Sequence, residues 1–280
     1  MFEFLSKFFL KKHISLYSAI PLSACKVQKP YLLERAGITS GTVVMIAVPY
    51  FTKSCMDPTR NISCYAVSRD YHIFFKELFD ELLPLLQQTF PQFSFAGFTD
   101  HSPIAEVDAA ARAGLGRIGD NHLLITERHS SFVFLGCLIT NAELPSVVHP
   151  ILQCEHCGKC KQICLAQNTA ECLSNVTQKK GILSESEIEM LLQYRSAWGC
   201  DLCQFCCPHT AKAMSTGSIY TEIDYFKDKT IAYLTTQAVD QMSDTAFSER
   251  AYAWRKKDTI QRNLILLEAH RNLHKGEEKC

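Results

Sequence analysis

No apolar run in this 280-residue chain is long enough to cross a bilayer. The opening stretch, MFEFLSKFFLKKHISLYSAIPLSAC, carries apolar patches, but Glu3, Lys7, Lys11, Lys12 and His13 interrupt them before they reach signal-peptide or membrane-spanning length. The expectation is a cytoplasmic protein without a membrane partner, in a compartment that keeps thiols reduced. Net charge is also missing, because 29 Lys and Arg balance 29 Asp and Glu. No global field therefore draws the chain to nucleic acid, and a polyanion would have to meet a local patch. One candidate runs from Arg250 to Lys275, where Arg250, Arg255, Lys256, Lys257, Arg262, Arg271 and Lys275 outnumber Asp258 and Glu268. A solvated helix face has the same composition. Repeats and low-complexity segments are absent from the first half. At 47% hydrophobic residues the chain can bury one sizeable core and is expected to form two lobes, one of them small.

Cysteine, by contrast, is abundant and clustered: nine of 14 fall between Cys154 and Cys207. CEHCGKCKQIC sets Cys154, Cys157, Cys160 and Cys164 at C-x2-C-x2-C-x3-C, and CDLCQFCCP supplies Cys200, Cys203 and Cys207 before Pro208, with Cys206 beside the last. A cubane takes three thiolates from one tight loop and a fourth from elsewhere, and in two-cluster ferredoxins the last cysteine of a run crosses to the other cluster. Applied here, the rule assigns Cys154, Cys157, Cys160 and Cys207 to one [4Fe-4S] cluster. Cys200, Cys203, the crossing Cys164 and Cys172 form the other. Zinc held by the two C-x2-C pairs would leave Cys160, Cys164, Cys172 and Cys207 unused. A disulfide framework does not suit a chain of this size without a secretory signal. Cys25, Cys55 and Cys137 read as core or boundary residues, and Cys280 as a mobile end.

The remaining chain reads as α+β. Residues 4–17 have roughly helical spacing, and TVVMIAVPYF (42–51) is a continuous apolar run that suits a buried strand. A helix is expected from Cys64 through Leu86 and beyond, then a strand in FSFAGFTD ending at Asp100. Ser102-Pro103 is expected to open a helix running to Ala113, with Pro103 in its first turn. GLGRIG (114–119) matches G-x-G-x-x-G, yet a helix precedes it and the strand-like HLLIT follows, the reverse of the dinucleotide fingerprint. It reads as a tight reversal, or as glycines admitting a large flat cofactor. SFVFLGCLIT (131–140) is a second buried strand, and residues 219–273 read as helices with a basic outer face. Asp100, ahead of a helix, would on local grounds be a cap. His101 and His156 could serve as ligands or relays but are more ordinary as surface or hydrogen-bonded histidines.

From Val48 to Asn272 the chain resembles the epoxyqueuosine reductases, cobalamin-dependent enzymes of tRNA queuosine synthesis, and more distantly the reductive dehalogenases. CYAVSRDYH (64–72), DHSPIAE (100–106), AGLGRIG (113–119), FLG (134–136), ECLSNVTQKKG (171–181), GCDLCQFCCP (199–208) and RKKDTIQRN (255–263), with the first cysteine run, carry the resemblance. It departs at Cys164-Leu165 where the family has Cys-Pro, at Asp120 where a Lys is usual, and at Pro208-His209-Thr210 where Pro-Trp-Asn is usual. The resemblance implies a short form, ending before the helical repeat domain with which the full-length family grips tRNA.

The resemblance implies a mixed α/β cobalamin-binding catalytic lobe (1–148), a ferredoxin-like domain with two [4Fe-4S] clusters (149–216) and a C-terminal helical segment (217–280). Asp100 would be the proton donor above the cobalt. Cys64 falls where the family places a residue near the metal, although it reads equally as a small buried hydrophobe. Tyr71, His72 and the turn from Asp120 to Leu124, including His122, would hold the corrin. The implied reaction is reduction of epoxyqueuosine to queuosine in tRNA, fed by an external one-electron donor of flavodoxin or ferredoxin type. The basic patch near Arg255 to Lys257 would meet the tRNA. Two alternatives keep part of this picture: a cobalamin and iron-sulfur reductase of a small molecule, and a two-cluster electron carrier.

Overall fold

Eight consecutive apolar or small residues make strand β2, Thr42–Pro49, and all eight are buried. Such a run needs cover on both faces and strands at both edges. In the computed structural model, which describes residues 1–164, 166 and 171–275, strand β1 (Leu16–Pro21) and strand β6 (Val133–Thr140) flank it, both antiparallel. Strand β3 (Phe95–Phe98) pairs with β6, giving the order β1-β2-β6-β3. The helix expected over 4–17 covers only Phe2–Lys11 (α1), where Leu5, Phe8 and Phe9 share one buried stripe. His13 then takes a positive φ of 56°, and the chain turns into β1, a strand the periodicity did not reveal.

The chain divides into two units. Unit 1 comprises residues 1–50, 71–158 and 207–223, and unit 2 comprises residues 51–70, 159–206 and 224–280.

In unit 1, helix α4 (Tyr71–Thr89) lies tight against the sheet. A Cβ on Gly136 would stand 2.3 Å from Phe75 Cε1, and one on Gly97 2.3 Å from Phe79 Cγ, so both positions need glycine for close approach. Helix α5 (Glu106–Arg112) packs Ala109, Ala110 and Ala111 among Val43, Met45, Cys137 and Ile139 in one core. α5 begins later than expected: Pro103 stands outside it, its carbonyl accepting the backbone N–H groups of Gln28 (2.8 Å) and Lys29 (3.1 Å). GLGRIG is a reversal, as read, with β4 (Arg117–Ile118) and β5 (Leu124–Ile125) forming a short antiparallel ladder. Helix α10 (Pro208–Ser215) follows the second cysteine run with Pro208 in its first turn.

Unit 2 is largely helical. The helix expected from Cys64 onward stops after α3 (Cys64–Val67), where Ser68 is extended and its hydroxyl donates to the Phe226 carbonyl at 2.8 Å. Helices α6 (Lys159–Ile163) and α9 (Leu202–Phe205) contain Cys160 and Cys203, α7 (Leu173–Gln178) starts behind Cys172, and α8 (Glu185–Tyr194) lies between α7 and α9 in the chain. α8 opens on a capping box in which Ser184 and Glu187 satisfy each other's backbone N–H. Helices α11 (Asp224–Lys227), α12 (Thr236–Gln241), α13 (Asp244–Ser248) and α14 (Lys256–Lys275) complete it, Thr235 and Ser243 capping α12 and α13. Leu173, Val176, Leu183 and Leu191 form a core with Leu266 and Leu267 of α14. Asn263 ties that helix down by donating to the carbonyls of Thr177 (2.7 Å) and Ala197 (2.8 Å).

The basic outer face differs from expectation. Arg250 is buried, Arg262 spends its guanidinium on the carbonyls of Lys179 and Gly181, and Arg255 stacks over Trp254 at 3.8 Å. These side chains serve the packing of the turns around α14, which composition alone does not reveal. Cys55 and Cys137 are buried and Cys25 half-buried, as expected, while Leu165 and Cys280 lie outside the described residues. Among the described residues, no helix is long and apolar enough to cross a membrane.

Candidate active site and metal centres

Asp100 follows β3 in unit 1 with a left-handed φ of 59°. It is not a helix cap: α5 starts six residues later, behind Ala105, which makes no side-chain cap. Its turn is pinned on both sides. The Thr99 hydroxyl donates to the Leu135 carbonyl at 2.7 Å, and Ala105 N–H donates to the Lys26 carbonyl at 2.9 Å. His101 is engaged by Lys29 Nζ at Nδ1 (3.1 Å) and by Tyr31 Oη at Nε2 (2.9 Å), so it supports the turn.

The Asp100 carboxylate lies 3.3 Å from His72 Nε2 and is 69% exposed. A carboxyl group serves as a proton donor near neutrality when burial raises its pKa. Instead the hydrogen bond and charge of His72 hold it below the usual carboxylate range, with Lys29 and the Tyr71 hydroxyl adding to the effect. Tyr71, His72 and Asp100 thus stand together, and Tyr71 also stacks on Phe134 with centroids 4.2 Å apart. His122 is exposed with φ 63°, between the two strands of the short ladder, while Leu124 is buried in the unit 1 core.

Glu106, the last residue of the DHSPIAE motif, is the perturbed acid of this region. Burial, then the Asp100 charge, push its carboxyl up to about 7, against the pull of the Asp100 backbone N–H, Lys29 and His72. Nothing in its spacing signals this.

In unit 2, Cys164, Cys172 and Cys200 lie near one another. Burial, followed by Asp201, Cys172 and Cys164, pushes the Cys200 thiol up to about 11 against the Leu202 backbone N–H. Tyr194 belongs to the same surroundings: burial, then Cys200 and Cys164, raise its phenol, which donates to the Ile163 carbonyl at 3.2 Å. None of the 13 described cysteines is in a disulfide. Burial and its charged neighbours oppose ionisation of the Cys200 thiol, and a soft cation or iron-sulfur cluster would take it as a thiolate. Free, half-buried thiols of this kind are compatible with a soft metal or iron-sulfur cluster.

Asp201, within C-D-L-C, organises the adjoining segment. It accepts from Arg60 Nη1 (2.7 Å), Ser63 Oγ (2.5 Å) and the Cys64 backbone N–H (2.8 Å). The same Arg60 nitrogen donates to the Ile62 carbonyl, and Arg60 Nε to that of Cys55. Cys64 is fully buried, which pushes its thiol well above the ordinary value; Cys55 beside it is lowered by a hydrogen bond from Cys64 and by Thr52. A 110 Å³ cavity lined by Cys200, Tyr194, Leu173, Asp201 and Phe205 opens beside Arg60.

In the first burst, Cys154 N–H donates to the Ile118 carbonyl at 3.0 Å, and left-handed His156 (49°) and Gly158 (76°) bend the backbone around Cys157. Asp120, Cys154 and His156 bring one ligand atom each within 4.8 Å of one another. The Asp120–His156 hydrogen bond at 2.7 Å accounts for two of those three as an ordinary surface pair. Glu155 joins Arg117 (2.6 Å) and His209 (2.6 Å).

Residues 37–101 match the family model described as "Epoxyqueuosine reductase QueG, DUF1730". An epoxyqueuosine reductase of Lactococcus garvieae is 28% identical over 240 residues, covering 80% of this chain and 67% of its own. That of Pseudomonas aeruginosa is 34% identical over 168 residues, 56% of this chain and 45% of its own. The chain thus spans about half to two thirds of these curated relatives. A crystal structure of an epoxyqueuosine reductase with a tRNA-Tyr epoxyqueuosine-modified stem loop superposes with a TM-score of 0.73 at 23% identity, covering 96% of this chain and 82% of that one. At that identity the likeness speaks for the fold.

Proposed function

We propose, for a chain that belongs to the epoxyqueuosine reductase family, a cobalamin-dependent oxidoreductase with two [4Fe-4S] clusters that reduces epoxyqueuosine in tRNA. The observation that carries the reading is the gathering of Cys164, Cys172 and Cys200 as unbridged thiols in unit 2. Cys203, three residues beyond Cys200, completes that proposed set. Cys154, Cys157, Cys160 and Cys207 are the proposed ligands of the other cluster. Tyr71, His72, Asp100, His122 and Leu124 are the proposed cobalamin contacts, the buried Leu124 through its backbone, and the resemblance adds Cys64. The division near residues 148 and 216 would separate catalysis from electron supply.

Clusters and cobalamin, when bound, supply one-electron relay and the low-valent cobalt that breaks a carbon–oxygen bond. Converting an epoxide to an alkene and water consumes two electrons and two protons, and the chain's own residues must manage the protons. Asp100, held ionised by His72, does not store one alone. One proton sits between His72 Nε2 and Asp100 Oδ2 and passes through Asp100 to the departing oxygen, and the second follows from solvent through the half-exposed His72, so that the oxygen leaves as water. Tyr71 stiffens this pair through its stack on Phe134. A one-electron donor of flavodoxin or ferredoxin type, a cytoplasmic setting, and tRNA contact through the basic patch near Arg255 to Lys257 complete the proposal.

The test is anaerobic turnover of a stem loop carrying epoxyqueuosine, with nucleosides analysed by mass spectrometry. The expected product has lost one oxygen and depends on the stem loop, on cobalamin and on a reductant. An oxygen lost equally from the free nucleoside would instead favour a small-molecule reductase.

A further inference from the structure

A cavity of about 680 Å³ opens within unit 2, and none of the residues lining it is a proposed cluster ligand or cobalamin contact. Three arginines, Arg60, Arg195 and Arg271, stand on its wall against one carboxylate among the described residues, that of Glu268. Both Glu268 oxygens are engaged by Thr236 at the start of α12, Oε1 accepting from the backbone N–H (2.9 Å) and Oε2 from the hydroxyl (2.8 Å). Arg60 is committed to Asp201. Arg195, just past the end of α8, and Arg271, on α14, are exposed and have no carboxylate partner among the described residues. Arg271 Nη1 donates to the Tyr233 hydroxyl at 2.8 Å, which orients the guanidinium and leaves its other N–H donors unused among the described residues.

Beside these cations the wall is apolar, with Leu264 fully buried and Leu267 half-buried on α14. Asn61 braces it through two hydrogen bonds with Leu234, its Nδ2 donating to the carbonyl (2.8 Å) and its Oδ1 accepting from the backbone N–H (2.9 Å). A basic helix face in the open is ordinarily solvated. A concave site of this volume, with apolar walls and two unspent guanidiniums, has instead the form of a small-molecule site. Guanidinium forks bind phosphate or carboxylate through paired N–H donors.

We propose that the cavity binds an organic anion of about mononucleotide size, its phosphate or carboxylate held by Arg195 and Arg271 and its ring resting on Leu264, Leu267 and Tyr233. Arg60, Asn61 and Arg195 also line the 110 Å³ cavity that reaches Cys200, so the bound anion lies one wall away from a proposed cluster ligand. The inference depends neither on that cluster nor on reduction of an epoxide.

Equilibrium dialysis of the full chain, purified with hydroxocobalamin so that a corrin site is filled, tests this without turnover. The probes are flavin mononucleotide, a flat ring system carrying a phosphate, and riboflavin, which lacks it, with inorganic phosphate as competitor. Flavin mononucleotide is expected to bind at a single site, about tenfold or more tightly than riboflavin, and inorganic phosphate to displace it only weakly. Arg195→Gln and Arg271→Gln are each expected to raise its Kd about tenfold, while Lys7→Gln, which removes a charge from unit 1, leaves it unchanged. No binding up to about 1 mM, equal affinity for riboflavin, or an unchanged Kd in either arginine variant overturns the proposal. Inorganic phosphate competing as an equal also overturns it, since the apolar wall then contributes nothing. Should Arg195→Gln fail to fold by circular dichroism, Arg271→Gln decides, because that exposed change removes only the bond to Tyr233. A chain that binds the flavin as expected but leaves the epoxide intact would contradict the functional reading and leave this site standing.

Discussion

The backbone N–H of Cys64 donates to Asp201 Oδ2 at 2.8 Å, so the segment that begins α3 is fixed by a residue lying between two proposed cluster ligands. The same carboxylate neutralises Arg60 and takes the Ser63 hydroxyl. Its side chain is 4% exposed, so water offers no replacement for what it supplies.

Removing it should be severe. Asp201→Ala leaves Arg60, Ser63 Oγ and the Cys64 N–H unpaired, and breaking a buried pair from one side costs about 4 kcal/mol. Urea unfolding of the metal-free protein is expected to show a loss of that order, whereas Lys7→Ala, which breaks only an exposed pair with Glu3, changes the midpoint little.

The pH response of Asp100 depends on His72. Its folded pKa lies below the unfolded value, so any stability it contributes is present above the unfolded pKa and is lost as pH falls through the folded one. His72→Phe removes the largest cause of the shift, and a carboxyl NMR titration should show the Asp100 pKa move up toward the ordinary carboxylate value. An unchanged titration would show that His72 does not set the charge of Asp100.

Arg250 is 4% exposed and its Nε and Nη1 have no hydrogen-bond partner; burial and the neighbouring Arg69 both lower its pKa. Replacing a buried, unpaired charge by an apolar side chain of similar length relieves desolvation. Arg250→Met is therefore expected to stabilise the protein by about 2 kcal/mol, seen as a raised urea midpoint with an unchanged slope.

Adjacent cysteines should behave differently. Cys206 gives its thiol to the Cys203 carbonyl at 3.6 Å, a local role, whereas Cys172 lies beside Cys200. Cys172→Ser is expected to lower iron from about eight to about four per chain, while Cys206→Ser leaves it near eight. Equal loss in both would overturn the assignment of ligands.

Much of the fold was legible where one physical signal dominates. The unbroken apolar run of β2 demanded a buried strand, and the order of helix and strand around GLGRIG excluded a dinucleotide turn. β1 was hidden because Leu16, Tyr17 and Ile20 also satisfy a helical stripe, and the break at Ser68 depends on a hydrogen bond to distant Phe226. For the site, the cysteines announce themselves by spacing, since ligand geometry constrains sequence directly. Asp100 needed family resemblance, because a lone carboxylate ahead of a helix has an ordinary explanation. Its lowered pKa, and the raised one of Glu106, come from contacts between β3, α4 and α5 that no local pattern encodes.

The most direct test of the two-cluster cobalamin reductase is anaerobic purification with hydroxocobalamin, followed by iron, sulfide and cobalt analysis and a visible spectrum. About eight irons, eight sulfides and one cobalt per chain are expected from two cubanes and one corrin. Eight irons without cobalt would contradict the account, making the protein an electron carrier and leaving Asp100 with no oxygen to protonate.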